Sequence, residues 1–359
     1  MGLPVINIVF EKKAATLINR SGKGVVVLIL KDSTKTQIMT PYRGIDEVAE
    51  DDWTSKNYEY IKMTFDAEPD KVLCVRAKMS EENVNIAESL ALLNDINVDY
   101  LTSPEFKKAD GDVIKAWLKK RRDAGKKVKV LLAGYEADYE AMINFGNEKV
   151  TVLNDKDKDK VTEYSAQEYC CRLAGVLASI PLTQASTYYE LPEIVDTTTF
   201  EDPDKEADEG KLIIIYDGDA FKIGRGVTSL TTISDNHPND FKKIKVLEGA
   251  DIIRYDIYST FKESFVGKYN NTYDNRQNFI GAINQYLKNL EDTVVDKENE
   301  HYVELNTAAI LNYLNSNGID TDDLTEQQIK ESNTGSNIFL VGKVKLLDAM
   351  EDLDLLIRL

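Results

Sequence analysis

Histidine and cysteine are scarce in this sequence: 359 residues hold only His237 and His301 of the one and Cys74, Cys170 and Cys171 of the other. Neither histidine belongs to a Cys/His cluster at ligand spacing, so no metal site is expected and the usual general base is nearly missing. Two of the cysteines are neighbours in sequence and rarely bridge without strain, so reduced, buried thiols are expected in place of a disulfide framework. Positive charge is also short, with 44 Lys and Arg against 62 Asp and Glu and a formal net charge of −18. Phosphate backbones and anionic lipids call for a concentrated basic patch, which excludes nucleic acid and a membrane surface as expected partners. No apolar run approaches the roughly 20 residues that span a bilayer. The first residues lack the basic segment and apolar core of a secretory signal, so folding in a cytosol is expected. A nucleophile elbow, a metal cluster and a dinucleotide fingerprint are all missing, and no cofactor is expected.

What is there suffices for a large core, since 42% of the residues are hydrophobic, and the length suits two domains. Val5, Ile6, Ile8, Val9 and Phe10 form a short β-rich run. Val25–Leu30 reads as a strand covered on both faces. Strand and helix then alternate to about residue 180: Val72–Val75, a helix capped by Ser80 with Val84, Ala87, Leu90 and Ala91, then Val98–Leu101. A helix with Val113, Ile114, Trp117 and Leu118 follows, and then Val128–Leu132. Such alternation implies a mainly parallel sheet covered by helices. Residues 196–210, rich in Thr, Asp and Glu, read as a linker. Beyond it, Leu212–Tyr216 and Ala220–Ile223 flank Asp217-Gly218, a hairpin signal. Helical spacing then carries Ile252, Ile253, Ile257, Phe261 and Phe265, followed by a helix from Asp274 to Glu291. A helix closed by Gly318 comes next, and another opened by the capping box Thr325 to Gln328.

Three local patterns invite function and fail on inspection. Ser21-Gly22-Lys23-Gly24 precedes its strand, whereas a phosphate loop follows one and opens a helix. Asp155 to Lys160 alternates like the start of a calcium loop, but the obligatory glycine position is Lys160 and the bidentate glutamate position is Ala166. Gly2 suggests myristoylation, but position 6 is Ile6 instead of Ser or Thr.

The end of the chain is the oddity. Leu353, Leu355, Ile357 and Leu359 alternate with Asp352, Asp354 and Arg358, the period of a half-buried strand where fraying is the rule. This apolar face must be covered by its own chain or by another. β-Rich segments at both ends suit β-augmentation, in which main-chain hydrogen bonds join a neighbour's sheet edge. Contacts to two different neighbours repeat into an open helical array. From the residues alone, a two-domain cytoplasmic α/β enzyme binding a small ligand at the C-terminal ends of its strands is a fair rival.

The combination of Gly224-Arg225-Gly226-Val227-Thr228-Ser229-Leu230, Asp251-Ile252-Ile253, Tyr273-Asp274-Asn275-Arg276 before Ala282-Ile283 and Tyr286-Leu287, and the ending from Gly342-Lys343-Val344-Lys345 to Asp348-Ala349-Met350-Glu351-Asp352 resembles the tail sheath proteins of contractile bacteriophages and phage-tail-like bacteriocins, most of all the short sheaths of clostridial phages and diffocin-type particles. The likeness runs over most of the chain and is most specific after residue 211. It implies a non-enzymatic subunit, assembled in the bacterial cytoplasm and then part of a virion or bacteriocin particle. That subunit polymerises as stacked six-fold rings around a tail tube, meets baseplate and tail terminator proteins, and contracts to drive the tube through a bacterial envelope. The implied fold is α/β with an α+β C-terminal part: a strand arm at 1–22, an α/β outer domain at 23–195, the linker at 196–210, a sheath-core domain at 211–335 and a second arm at 336–359. Strand exchange between neighbours would then use Ile6, Ile8 and Phe10 in one arm and Val344, Leu346, Leu353, Leu355 and Ile357 in the other, with Asp348–Asp352 breaking the second arm into two strand segments. Arg276 and Lys288, on the polar face of the helix from Asp274 to Glu291, would face the tube.

Overall fold

A computed structural model describes residues 18, 22–80, 83–154, 160–235 and 237–358. It divides into two units, one holding residues 22–248 and 348–359 and the other residues 249–347. The first is α/β. In chain order its strands are β1 (Val25–Leu30), β2 (Met39–Tyr42), β3 (Lys71–Arg76), a short ribbon of β4 (Met79–Ser80) and β5 (Asn83–Val84), β6 (Tyr100–Thr102), β7 (Lys129–Leu131), β8 (Met142–Phe145), β9 (Lys149–Leu153), β10 (Val161–Ser165), β11 (Ile194–Thr197), β12 (Lys211–Leu212), β13 (Ile214–Tyr216) and β14 (Phe221–Ile223). Seven of them form one sheet in the order β12-β8-β7-β6-β1-β3-β2. Every pairing in it is parallel except that of the edge strand β2 with β3.

The central strand explains the two layers of core. β1 is apolar at every position, and alternate residues point to opposite faces. Val26, Leu28 and Leu30 join one cluster of buried residues, while Val27 and Ile29 join a second. Helices α1 (Ser55–Phe65), with Tyr60 and Ile61, and α4 (Ala166–Ser179), with Leu173 and Val176, supply the first cluster. Helices α2 (Ile86–Ala91), with Leu90, and α3 (Gly111–Asp123), with Ile114 and Leu118, supply the second. The helices α1 and α4 approach so closely at Gly175 that a Cβ there would lie 2.1 Å from the Thr64 carbonyl oxygen. All three cysteines are buried and unbridged.

Three expectations need correction. The helix expected from Ser80 starts at Ile86, because Ser80 lies in the β4–β5 ribbon and the Asn85 side chain accepts from the Glu88 N–H as the cap. The stretch 196–210 is not a linker: it holds helix α5 (Pro203–Asp208), capped by Asp202 with Pro203 in its first turn, and leads directly into β12 at the edge of the main sheet. The hairpin β13–β14 forms as expected, with Gly218 at φ 105° in its turn, but it also belongs to the first unit, so the division falls after Glu248 and not at 211.

That division lies within helix α6 (Ile244–Thr260), which continues into a π-helical turn at Phe261–Phe265. The second unit adds α7 (Tyr273–Asn289), β15 (Tyr302–Leu305), α8 (Thr307–Ser316), α9 (Glu326–Glu331) and β16 (Leu340–Lys343). Ile280, Leu305, Ile310, Leu314 and Ile329 form its core. Phe261 and Phe265 pack on Phe279 at 5.2 and 4.6 Å between ring centres. Asn284 of α7 reads the backbone of β15 in both directions, donating to the Val303 carbonyl at 3.0 Å and accepting from its N–H at 2.7 Å. Both halves of the Thr325/Gln328 capping box are present at α9.

Candidate functional site

β16 forms only a two-stranded antiparallel ribbon with β15, from Leu305 opposite Leu340 to Tyr302 opposite Lys343. A two-stranded ribbon is marginal by itself, and its outer edge presents unpaired N–H and C=O groups. Val341 and Val344 are exposed there. Leu346 is half-buried and bridges Val295, after which the Leu347 N–H donates to the Val294 carbonyl at 2.8 Å.

From residue 349 to 358 the chain has no helix or strand. The expected second strand segment is therefore not formed within this chain. Leu353 is 88% exposed, Leu355 67% and Ile357 70%. Among the described residues, no hydrogen bond or ion pair is made by 353–358. A run of exposed aliphatic side chains on backbone without strand or helix pairing is costly in water and marks a surface to be covered.

The five residues before that run behave differently. Glu351 turns inward, with its side chain 5% exposed, and accepts a hydrogen bond from the Thr187 hydroxyl at 2.7 Å. The Lys243 ammonium lies 2.9 Å from Glu351 Oε2 and also pairs with Asp348. Arg225 Nη2 pairs with Asp352 Oδ1 at 2.6 Å, and Nη1 lies 3.9 Å from Glu351. Burial works to lower the Lys243 pKa, but the two carboxylates outweigh it and raise it; hydrogen bonding to Asp352 raises that of Arg225.

The N-terminal candidates Ile6, Ile8 and Phe10 lie outside the described residues. Close to the start of the described residues, Lys23 is partly buried in an ion pair. Its ammonium lies 2.7 Å from Glu248 Oε2 and donates to the Ile180 carbonyl at 2.6 Å. Tyr100 donates to the other Glu248 oxygen. Lys127 bonds the Gly22 carbonyl and pairs with Asp99, which in turn accepts from the Gly24 and Val25 N–H groups. The Gly-Lys-Gly run is thus an anchored strand entry.

Arg276 is corrected: it is 2% exposed, with Nη2 donating to the Ser332 carbonyl at 3.1 Å and Nε to Thr272 at 3.4 Å. Its place on α7 turns inward over the chain between α9 and β16, so it is not a surface cation. Lys288 is exposed. Asp155 to Asp159, the core of the calcium-like run, lies outside the described residues.

The C-terminal strand ends, where sheets of this kind hold ligands, are occupied by the protein's own groups. Gln167 donates to Thr102 Oγ1 and the Ser103 carbonyl and accepts from the Ala133 N–H, while Ser103 donates to the Ile29 carbonyl. A cleft of about 290 Å³ lies elsewhere, lined among others by Tyr58, Lys62, Tyr164 and Glu193. Among the described residues, no group of three or more His, Cys, Asp or Glu is placed to hold a metal ion, and no helix is long and apolar enough to cross a membrane.

Residues 236–359 match the family described as phage tail sheath C-terminal domain. The whole chain is 34% identical over 370 aligned residues to the tail sheath protein of Clostridium phage phiCD119, covering 99% of it. Among solved structures, the chain is similar to the helical sheath of the anti-feeding prophage in its contracted state, with TM-score 0.68 and 12% identity, covering 100% of this chain and 99% of that one. It is also similar to a sheath tail protein from Desulfitobacterium hafniense, with TM-score 0.65 and 15% identity, covering 84% of this chain and 93% of that one.

Proposed function

We propose, from the premise that the chain belongs to the phage tail sheath proteins, that this structural sheath subunit polymerises as stacked six-fold rings in a helical array and grips the next subunit through its C-terminal segment. Val344 and Leu346 continue from the ribbon edge, and Leu353, Leu355 and Ile357 insert as a strand into a neighbour's sheet. One observation carries the reading: residues 353–358 are exposed and unpaired in the isolated chain, with Leu353, Leu355 and Ile357 apolar on one parity and Asp354, Leu356 and Arg358 on the other. Adding a strand satisfies the backbone and buries the alternate side chains in a single step, and main-chain pairing fixes the register. Ile6, Ile8 and Phe10 are proposed as the complementary arm.

The polymer surrounds a tail tube, ends on baseplate and terminator proteins, and contracts to drive the tube through a bacterial envelope. It assembles in the bacterial cytoplasm and leaves with the virion or bacteriocin particle. The likeness to the anti-feeding prophage sheath supports the contractile setting. The role is mechanical and not enzymatic; Gln167, sitting at the strand ends, supports that reading over the enzyme alternative. Lys288 remains a proposed tube-facing cation. Deleting residues 353–359 is the test: the shortened chain should fold as a monomer and form no tubes in electron micrographs, and tubes of normal length would overturn the proposal.

A further inference from the structure

We infer that Lys243, Arg225 and Thr187 form a charge clasp on Asp348, Glu351 and Asp352, and that this clasp sets the point and direction from which residues 353–358 leave the α/β unit. The inference rests on the proposed role of those residues as an arm received by a second copy of the chain.

The geometry is that of an anchor. Within five residues, three carboxylates meet two cations and one hydroxyl, all from the α/β unit. The Glu351 side chain, 5% exposed, turns inward between its neighbours Met350 and Asp352, which are 104% and 77% exposed. One inward side chain between two outward ones fixes the rotation of the backbone at that point, and with it the faces taken by the alternating residues that follow. A buried carboxylate is stable only while its cations stay in place. Glu351 Oε2 lies 2.9 Å from the Lys243 ammonium, an ion pair at hydrogen-bond distance. Charge therefore holds it, and the hydrogen bond from Thr187 to Oε1 orients it.

The clasp also gives a reason for the Gly224-Arg225-Gly226 run. A Cβ on Gly226 would lie 2.3 Å from Ser186 Oγ, and the Gly226 N–H donates to Thr187 Oγ1 at 3.0 Å. The glycine lets this loop close on Ser186 and Thr187, which places Arg225 and the Thr187 hydroxyl beside each other on the acidic segment. A strand that must enter a neighbour in one register gains from a root with a fixed direction, since less freedom is lost on docking.

The test uses the full chain, dilute and unassembled, with a nitroxide spin label on Met350→Cys; the native thiols are buried, and the chain without this substitution is the labelling control. Reversing the cations, Arg225→Glu with Lys243→Glu, should shorten the label's correlation time several-fold. Adding Asp348→Lys, Glu351→Lys and Asp352→Lys should restore it, which a merely structural role would not do. Should the reversed chain fail to fold, Glu351→Gln alone and about 1 M salt on the labelled chain, where the Debye length is about 3 Å, must both free the label. A label equally mobile in all of these samples overturns the clasp. Electron microscopy of the unaltered chain separates the two claims: without tubes the arm reading fails and the label result still decides the clasp.

Discussion

Truncating Leu353 and Leu355 to alanine should raise the concentration at which the chain polymerises by about a thousandfold and leave the isolated chain as stable as before. The two side chains are 88% and 67% exposed, so most of their apolar surface is available to a neighbour. A leucine truncated to alanine in a packed contact costs at least about 2 kcal/mol, and tenfold in an equilibrium corresponds to about 1.4 kcal/mol. Two sites give about 4 kcal/mol, or close to three decades. Within one chain both side chains are largely exposed, so the loss should stay within the roughly 0.5 kcal/mol typical of surface changes. Light scattering across a concentration series measures the first quantity and thermal melting the second. Leu356, 74% exposed on the opposite parity, is the control, and Leu356→Ala should move the assembly threshold far less. The reasoning is refuted if the double variant melts several degrees lower and polymerises as before, or if Leu356→Ala weakens assembly as much as the pair does.

Gly175→Ala gains about 1 kcal/mol of helix propensity, yet its Cβ would sit 2.1 Å from the Thr64 carbonyl; urea denaturation should show net destabilisation of about 1–3 kcal/mol, and a stabilised variant would contradict the close α1–α4 crossing. Burial raises the pKa values of Asp32 and Glu168, but hydrogen bonds from Thr34, Thr54 and Asn57 to one, and from Lys56, Tyr60 and Ser165 to the other, outweigh it and hold both at about 2. Both folded values lie below the ordinary 3.8 and 4.5, so the unfolded chain binds more protons in that window. Their stabilisation is complete above about pH 4.5 and is lost as the pH falls to about 2. Denaturation curves of Asp32→Asn with Glu168→Gln should converge on the parent's as the pH drops through this range. Arg276→Met leaves the Ser332 carbonyl without its donor and should cost about 1–3 kcal/mol in the stability of the second unit, whereas a freely solvated arginine would cost nothing. Lys288→Glu should reduce the salt-sensitive part of tube association measured by cosedimentation, and an unchanged salt dependence would remove it from the tube-facing surface.

Much of the α/β unit was legible because its signals are local. Continuous apolar runs such as Val25–Leu30 can only be strands covered on both faces, and Asp217-Gly218 determines its hairpin within a few residues. The misread boundary has a physical cause: residues 196–210 look like a linker by composition, but capping by Asp202, the first-turn Pro203 and the buried Leu212 order them. The real division lies within α6, where the apolar period runs on through Gly249 without a break. Arg276 reads as part of the polar face by its type alone, while its burial depends on the Ser332 carbonyl 56 residues away. The acidic run Asp348–Asp352 read as an interruption between strand segments because its cation Lys243 lies 105 residues earlier. The alternation of Leu353, Leu355 and Ile357 is plain in the sequence; that these side chains lie bare in the single chain is decided by the tertiary fold.

The most direct test of the account is electron microscopy of the purified full-length chain beside the chain lacking residues 353–359, at equal concentration. The account predicts helical tubes with a wide lumen for the first and only folded monomers for the second. Compact closed oligomers from the full-length chain, or tubes from both, would contradict it.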